Sequence, residues 1–367
     1  MRLILLIDMD YFFAACEELR DPSIKDKPVV VGADPKAGEG RGVVSTCNYI
    51  ARKYGIHSAM PISQAYRLKK DAVFLPVDDK YYEETSAKVM AIIKRYAAKV
   101  EQVSIDEAFA DISSNVDGYN GAVEYAAMIK KSIKEELGLP CSIGISANKL
   151  LAKMACTAAK PDGIKLVKDE DGKAFLSQMD VEKLYGIGEK TAEKLRAMGY
   201  KTVGELAKAN QIKLIDAFGI WGAELYKNAN GIDDSELVDN DVVKSIGRET
   251  TFEKDTSEVQ AMKDAIRKMA EEVGKELQAK KFAFKVVTIK IRYSDFSEHL
   301  KSRSLRQHTD KVEDMASSAY FLIEKYAEKG RAVRKIGVRV SGLLAYKGQK
   351  KISSFVNYPR LKPVGFP

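Results

Sequence analysis

Acidic side chains lie beside two predicted strands, where a buried carboxylate is costly unless a cation compensates its charge. Asp8 ends the apolar run of residues 3–7, Asp10 follows it, and Asp106-Glu107 lie at the bend between two short predicted strands. At a bend, neighbouring side chains can point to one side of a sheet. Three carboxylates at one sheet edge would bind hard divalent cations such as Mg²⁺. The alternative is that they are turn residues and helix caps.

The elements that would position these acids change in type along the chain. Residues 1–167 alternate strands with helices, which predicts a mixed α/β module. Residues 168–238 have a helical pattern throughout, and residues 239–245 are typical of a linker. Residues 246–345 follow the order β-α-β-β-α-β, which predicts a four-stranded sheet with both helices on one face. Lys and Arg alternate along its open face, and such a basic surface is suited to phosphates.

Charge is distributed unevenly over the 367 residues, whose net charge is +8. Residues 1–245 hold 34 Lys and Arg against 37 Asp and Glu, a net charge of −3. Residues 246–351 hold 24 against 15, a net charge of +9. This asymmetry indicates a polyanionic partner that docks mainly on the second part. A solvated basic face is the alternative that charge alone leaves open.

Composition and short motifs exclude other classes of protein. The apolar run at the start is too short for a signal peptide or a membrane span. Cys16, Cys47, Cys141 and Cys156 form no C-x-x-C pair and no zinc-like spacing. We therefore expect reduced thiols in a cytoplasmic protein that does not bind membranes.

Three motifs carry a family resemblance: residues 8–13 (DMDYFF), 104–109 (SIDEAF) and 159–163 (AKPDG). Together they resemble the Y-family DNA polymerases, and most closely the archaeal and bacterial DNA polymerase IV group. The resemblance runs from residue 1 to about 345. It implies an α+β right-hand fold with palm and fingers at 1–167, a helical thumb at 168–238, a linker at 239–245, and a β-α-β-β-α-β little finger at 246–345. A tail at 346–367 follows.

The resemblance assigns the acids to a catalytic metal site. Asp8, Asp106 and Glu107 match the family's metal-binding, catalytic carboxylates, and the backbone carbonyl of Met9 would complete the shell. Glu107 matches the position usually named as catalytic, and two Mg²⁺ ions are implied. Asp10 is expected to be structural, and Ser104 lies near the expected primer end.

Nucleotide binding is implied for a further set of residues in the same module. The dNTP would contact Tyr11, Phe12, Phe13, Thr46, Tyr49, Arg52 and Lys160. Backbone amides at the start of a helix would hold phosphate at residues 11–13, and the basic side chains would neutralise the leaving pyrophosphate. Phe13 matches the steric gate, which excludes a 2′-hydroxyl. Small residues at Ser45, Ser58 and Ala59 would leave room for damaged bases.

DNA and clamp contacts are implied outside that module. Gly186 and Gly188 resemble a helix-hairpin-helix, whose glycines let backbone amides approach a phosphate. In the little finger the expected backbone contacts are Lys244, Arg248, Lys335 and Arg339. The peptide with Gln349, Ile352 and Phe355 resembles a sliding-clamp-binding motif, although Val356 replaces the second aromatic residue and eleven residues follow it. A disordered basic tail is the alternative.

The resemblance implies a monomeric enzyme that adds dNTPs to the 3′-hydroxyl of a primer-template. Small residues over the nascent pair imply low-fidelity translesion synthesis, and no segment resembles a proofreading exonuclease. Two alternatives differ in class. A DNA-binding accessory protein would have an inactive palm, and a nucleotidyl cyclase would turn over nucleotide without a template.

Overall fold

The protein, described by a computed structural model over residues 1–238, 243–328 and 330–346, combines helices with strands. It divides into two units, Met1–Asn240 and Asp241–Pro367. The strands of the first unit are β1 (Ile4–Met9), β2 (Val29–Gly32), β3 (Val44–Cys47), β4 (Val73–Leu75), β5 (Lys99–Gln102), β6 (Glu107–Asp111), β7 (Cys141–Ser146) and β8 (Ile164–Leu166). Its helices are α1 (Phe12–Arg20), α2 (Tyr49–Arg52), α3 (Ile62–Leu68), α4 (Asp79–Tyr96), α5 (Gly118–Leu137), α6 (Lys149–Ala159), α7 (Gly172–Ser177), α8 (Glu189–Ala197), α9 (Val203–Leu206), α10 (Gln211–Phe218) and α11 (Ile220–Ala229).

The main sheet of the first unit has the strand order β5-β6-β1-β7-β8. Its pairs are antiparallel except for β7 with β8. Side chains alternate along β1, because successive residues of a strand face opposite sides. Leu5 and Ile7 belong to the core with α4 and α5, whereas Ile4 and Leu6 pack with residues of α6. Asp8 continues the second series and is therefore on the α6 side.

A smaller sheet, with the order β3-β2-β4, supports the segment after β3. Asn48 caps α2, since its Oδ1 accepts a hydrogen bond from Ala51 N at 2.9 Å. Asn48 Nδ2 also donates to Glu18 of α1 at 2.8 Å. A polar cap of this kind sets where a short helix begins. The cap therefore fixes α2 relative to α1 at the edge of the main sheet.

The strands of the second unit are β9 (Ser245–Thr256), β10 (Phe282–Tyr293), β11 (Glu298–Thr309), β12 (Val333–Ser341) and β13 (Leu344–Ala345), and its helices are α12 (Val259–Lys280) and α13 (Val312–Tyr326). The sheet order is β11-β10-β12-β9, with antiparallel neighbours. The predicted β-α-β-β-α-β order is confirmed. Strand β11 pairs along most of β10, and β9 continues to Thr256, just before α12 begins at Val259.

No helix in the described part of the chain has both the length and the apolar composition needed to cross a membrane.

Candidate active site

Asp8 and Glu107 lie side by side on the α6 side of the main sheet. They are directly paired across antiparallel strands β1 and β6, and paired residues place their side chains on one face. Both are buried, with relative exposures of 6% and 8%. Met9 N donates to the carbonyl of Asp106 at 2.9 Å, which holds the bend against the end of β1. The fold thus brings Asp8 to the 106–107 bend from nearly 100 residues away.

Lysines of α6 and its C-terminal end contact this acid pair. Lys160 Nζ lies 2.6 Å from Asp8 Oδ1. Lys153 Nζ lies 3.8 Å from Asp8 Oδ2 and forms a closer ion pair with Glu107. Lys149, one turn earlier, pairs with an acid of β5 at 2.8 Å. Sequence analysis missed Lys153, although its spacing of four residues from Lys149 places both lysines on one side of α6.

The chemistry of the acid pair fits a cation site. Burial raises the pKa of Asp8, while the ammonium groups of Lys160 and Lys153 act in the opposite direction. Within the described residues, Glu107 Oε1 is buried without a hydrogen-bond partner. Leaving such an atom unpaired costs on the order of 1–3 kcal/mol, and more for a charged group. A divalent cation would supply the missing partner, so the residues present fit a metal ion.

Asp106 directly precedes Glu107, at the bend between β5 and β6. Its Oδ1 accepts a hydrogen bond from Ser104 Oγ at 2.6 Å. Over the described ranges, no three acid, histidine or cysteine side chains lie close enough together to hold a metal ion. The carboxylate oxygens that have side-chain partners contact lysine ammonium groups at Asp8 and Glu107 and the Ser104 hydroxyl at Asp106. The three-carboxylate metal site stays a prediction.

A cavity of about 260 Å³ opens beside Asp8. Its lining comprises Asp8, Met9, Tyr11, Phe12, Phe13, Ser45, Thr46, Arg52, Ser58, Ile105, Asp106 and Lys160. Tyr11 is the N-cap of α1 and has a left-handed backbone (φ 39°, ψ 44°) with no side-chain cap. This conformation turns the chain directly from β1 into α1 and leaves the first N–H groups of the helix without a side-chain acceptor. Such N–H groups are suited to bind phosphate.

Two predicted triphosphate residues lie on α2, but only one of them lines the cavity. The guanidinium of Arg52 lies 4.8 Å from the centroid of the Tyr49 ring. Arg52 lines the cavity together with Thr46 of β3. The Tyr49 hydroxyl instead donates to Asp10 at 3.2 Å, and burial raises the pKa of Tyr49. Tyr49 is thus held one layer behind the cavity wall.

The Phe13 ring is stacked on a buried tyrosine that sequence analysis did not identify. Phe13 and Tyr82 have ring centroids 4.2 Å apart and planes 10° apart. Tyr82 is fully buried, and its hydroxyl donates to Glu17 at 2.8 Å. The partner ring comes from α4, which has no motif that indicates this contact. Phe12 is 2% exposed and belongs to the main core, and it also borders the cavity.

The predicted hairpin with Gly186 and Gly188 precedes α8. Gly186 has a φ of +88°, and a Cβ there would approach the Trp221 ring at 3.1 Å. Gly188 is the N-cap of α8, and a Cβ there would meet nothing within 4 Å. The first glycine is therefore needed for the turn and its packing. The second leaves open space in front of the N–H groups of α8.

The open face of the second unit carries acids among its basic side chains. Glu249 of β9 lies 2.6 Å from Lys335 and 3.1 Å from Lys290. Glu298 of β11 lies 2.6 Å from Arg292 and 3.3 Å from Lys290. Glu249 and Glu298, together with these ion pairs, form the acidic clasp of this face. Because the clasp neutralises three of the alternating cations, this face is less basic than its Lys and Arg pattern indicates.

The other predicted DNA contacts of this unit differ in their surroundings. Arg248 turns toward α12 and pairs there with Glu276 at 2.9 Å, on the helix-covered side. Arg339 is exposed on the open face, and Lys244 is exposed just before β9. Among the described residues, neither side chain forms a hydrogen bond or an ion pair. These two cations are therefore available to a phosphate.

The predicted clamp-binding residues Gln349, Ile352 and Phe355 lie outside the described residues. That peptide stays a prediction from the sequence.

Comparison with family models matches three parts of the chain. The impB/mucB/samB family model matches residues 7–157, and its C-terminal domain model matches residues 243–354. The helix-hairpin-helix motif of the same family matches residues 169–200. The matched parts include both units and the hairpin between α7 and α8.

Curated relatives and solved structures agree with these matches. DNA polymerase IV of Methanoculleus marisnigri is 44% identical over 93% of this chain and 94% of its own length. DNA polymerase IV of Streptococcus pneumoniae is 42% identical over 93% of this chain and 97% of its own length. A chimeric Y-family DNA polymerase superposes with a TM-score of 0.85 at 27% identity over 94% of this chain and all of its own. An insertion ternary complex of Dbh DNA polymerase superposes with a TM-score of 0.65 at 28% identity, over 94% of this chain and all of its own.

An α+β fold with an acidic sheet edge, a cavity beside it and a helical hairpin defines a polymerase of the right-hand class, and the predicted fold class is confirmed. The chain belongs to the impB/mucB/samB family of Y-family DNA polymerases. The protein is a DNA-directed DNA polymerase that carries out template-directed, low-fidelity translesion synthesis. Members of this family depend on a metal ion.

Proposed function

We propose that Asp8, Asp106, Glu107 and the Met9 carbonyl hold two Mg²⁺ ions at the acidic edge of the main sheet. The observation that carries this assignment is the buried Asp8–Glu107 pair, which contacts two ammonium groups and still has one oxygen without a partner. When bound, such ions stabilise the attacking and leaving oxygens of a phosphoryl transfer. Lys153 and Lys160 occupy the position of that positive charge until cations and nucleotide arrive.

The triphosphate of the incoming dNTP would lie in the cavity beside Asp8. Residues 11–13 at the start of α1 line it, together with Thr46 and Arg52. Lys160 would exchange its contact with Asp8 for a phosphate oxygen, and Tyr49 would exchange its hydrogen bond to Asp10 for one to a phosphate oxygen. These donors neutralise the charge that builds on the leaving pyrophosphate. The primer 3′-hydroxyl attacks the α-phosphate, and pyrophosphate is released.

The rest of the chain would hold the DNA. We assign palm and fingers to 1–167, thumb to 168–238, linker to 239–245, little finger to 246–345 and tail to 346–367. The backbone at Gly186 and Gly188 would contact a phosphate, because glycine leaves its N–H groups accessible. Lys244, Arg339 and, after release from the clasp, Lys335 would contact the duplex backbone. A monomeric, cytoplasmic enzyme with a clamp-binding tail completes the proposal.

The test is primer extension by the wild type and by Asp106→Ala with Mg²⁺ present. We expect the wild type to extend a template-paired primer and Asp106→Ala to lose all extension, because one metal-binding carboxylate is gone. Glu124→Gln, which removes an exposed acid from α5 of the same unit, is the matched control and should extend normally.

Each rival activity predicts a different result in the same assay. An inactive wild type that still binds DNA would support an accessory protein with an inactive palm. Turnover of nucleotide in the absence of any template would support a cyclase. Extension by Asp106→Ala at the wild-type rate would remove the proposed metal site.

A further inference from the structure

Asp10 accepts hydrogen bonds from three separate parts of the first unit. Its carboxylate is only 1% exposed. Ser142 Oγ of β7 donates to its two oxygens at 3.1 and 3.0 Å. The Tyr49 hydroxyl of α2 donates at 3.2 Å, and the backbone N–H of Asp162 donates at 2.8 Å. The carboxylate therefore joins the main sheet, the α2 segment and the loop between α6 and β8.

Two of these donors lead to groups assigned to the triphosphate. Tyr49 is itself one of them. Asp162 is two residues beyond Lys160, in the loop that carries it. Lys130 of α5 holds the other side of this loop, since its Nζ donates to Asp162 Oδ1 at 2.7 Å and to the Cys141 carbonyl at 2.8 Å. The loop is thus fastened from two sides, and Asp10 is its inner attachment.

Asp10 is set back from the reacting atoms. It does not line the cavity beside Asp8. A buried carboxylate needs hydrogen bonds to offset its lost hydration, and the donors at Ser142 and Asp162 would already supply them. The Tyr49 hydroxyl comes instead from α2, which follows β3, and Tyr49 is 39 residues beyond Asp10 in the chain. The third contact therefore links elements that core packing alone does not require to be linked.

We propose that Asp10 is a positioning residue that holds the Tyr49 side chain and the Lys160 loop in place beside the cavity before the triphosphate binds. The proposal rests on the proposed function, because it acts through two residues assigned there. Loss of the carboxylate releases both groups at once. Its effect falls on nucleotide binding more than on the chemical step, because Asp106 and Glu107 keep their contacts with Ser104 and Lys153.

The experiment is single-nucleotide incorporation on a primer-template, with KM for dNTP and kcat measured separately. We expect Asp10→Ala to raise KM by roughly tenfold or more and to change kcat less. Tyr49→Phe should raise KM less in the Asp10→Ala background than in the wild type, because contacting residues are not additive. Asp10→Asn keeps one acceptor oxygen and should recover part of the loss.

Ser146→Ala is the matched control. Its hydroxyl is fully buried at the other end of β7 and donates to the Val167 carbonyl at 2.8 Å, away from Asp10. It should lower the melting temperature like an Asp10 variant but leave KM unchanged. If Asp10→Ala does not fold, Asp10→Asn decides the matter, since it too must raise KM.

The possible results distinguish a failure of the Asp10 assignment from a failure of the proposed function. A wild type that extends no primer overturns both. An active wild type with an unchanged KM in a folded Asp10 variant overturns this inference alone. So does a fall in kcat without a rise in KM, since that would assign Asp10 to the chemical step.

Discussion

Phe13 illustrates how a single side chain depends on contacts that are remote in sequence. Its identity and its place after Asp8 were enough to assign it to the sugar pocket by resemblance. Its orientation is set by Tyr82, whose ring lies parallel at 4.2 Å and is anchored through Glu17. Offset or parallel aromatic contacts add about 0.5–1.5 kcal/mol beyond buried area. A ring held in this way makes a rigid wall.

Phe13→Ala should therefore raise incorporation of ribonucleotides relative to deoxynucleotides. Removing the ring opens space beside the sugar, and a small steric difference in a pocket is worth roughly 10–200-fold in selectivity. The measurement is the ratio of kcat/KM for the two sugars on one template. Tyr54→Ala, which removes an exposed aromatic ring that does not border the cavity, is the control. A selectivity unchanged from wild type would reject the steric-gate assignment.

Lys153 marks the limit of prediction at the residue scale. The acidic motifs predicted where Asp8 and Glu107 lie, because strand alternation follows directly from the order of residues. The ion pair between Lys153 and Glu107 depends on how α6 packs across the sheet. A lysine on a helix is most often a solvated residue, so nothing in the local sequence distinguishes this one.

At the scale of elements, the sheet of the second unit was predictable in order but not in charge. Its β-α-β-β-α-β order follows from alternating hydrophobic patterns, which helices on one face require. The acidic clasp could not be predicted, because Glu249 contacts Lys335 and Lys290 only through the register of β9 with β12 and of β12 with β10. Register of remote strands is a tertiary property.

The clasp predicts that Glu249→Gln binds duplex DNA more tightly than the wild type. A neutral side chain frees Lys335 and Lys290 for phosphates, and each added phosphate contact steepens the plot of log K against log salt by about 0.9. Binding isotherms at several salt concentrations measure both effects. Glu313→Gln removes the same charge from α13 on the other face and is the control. Affinity equal to or below that of the wild type would contradict the prediction.

The same clasp predicts a pH dependence of stability. The ion pairs with Lys335 and Lys290 hold the pKa of Glu249 below its usual value near 4.5, against the opposing effect of burial. A carboxyl group with a lowered pKa stabilises the fold above the unfolded-state pKa and loses that contribution as pH falls through the folded-state pKa. The melting temperature of the wild type should exceed that of Glu249→Gln near neutral pH, and the difference should shrink as the pH falls below the unfolded-state pKa and vanish below the folded-state pKa. A difference that persists in acid would contradict this assignment.

At the scale of the whole molecule, charge and chemistry are divided between the two units. The acidic edge and the cavity belong to the first unit, and the excess of positive charge lies in residues 246–351. Composition alone revealed this division, because net charge needs no knowledge of contacts. The residues proposed to bind nucleotide could be chosen only through the motif resemblance, since they come from α1, β3, α2 and the end of α6.

The tail provides the last prediction, which concerns how the enzyme is held at its template. Deleting residues 349–367 should abolish stimulation by a sliding clamp and leave clamp-free extension intact, because Ile352 and Phe355 would supply the apolar anchors of the peptide. Deleting only 357–367 keeps the peptide and is the matched control. Primer extension with and without a loaded clamp measures both variants. Equal stimulation of the two deletions would show that the peptide does not bind the clamp, and a loss of clamp-free extension would assign the tail to DNA binding instead.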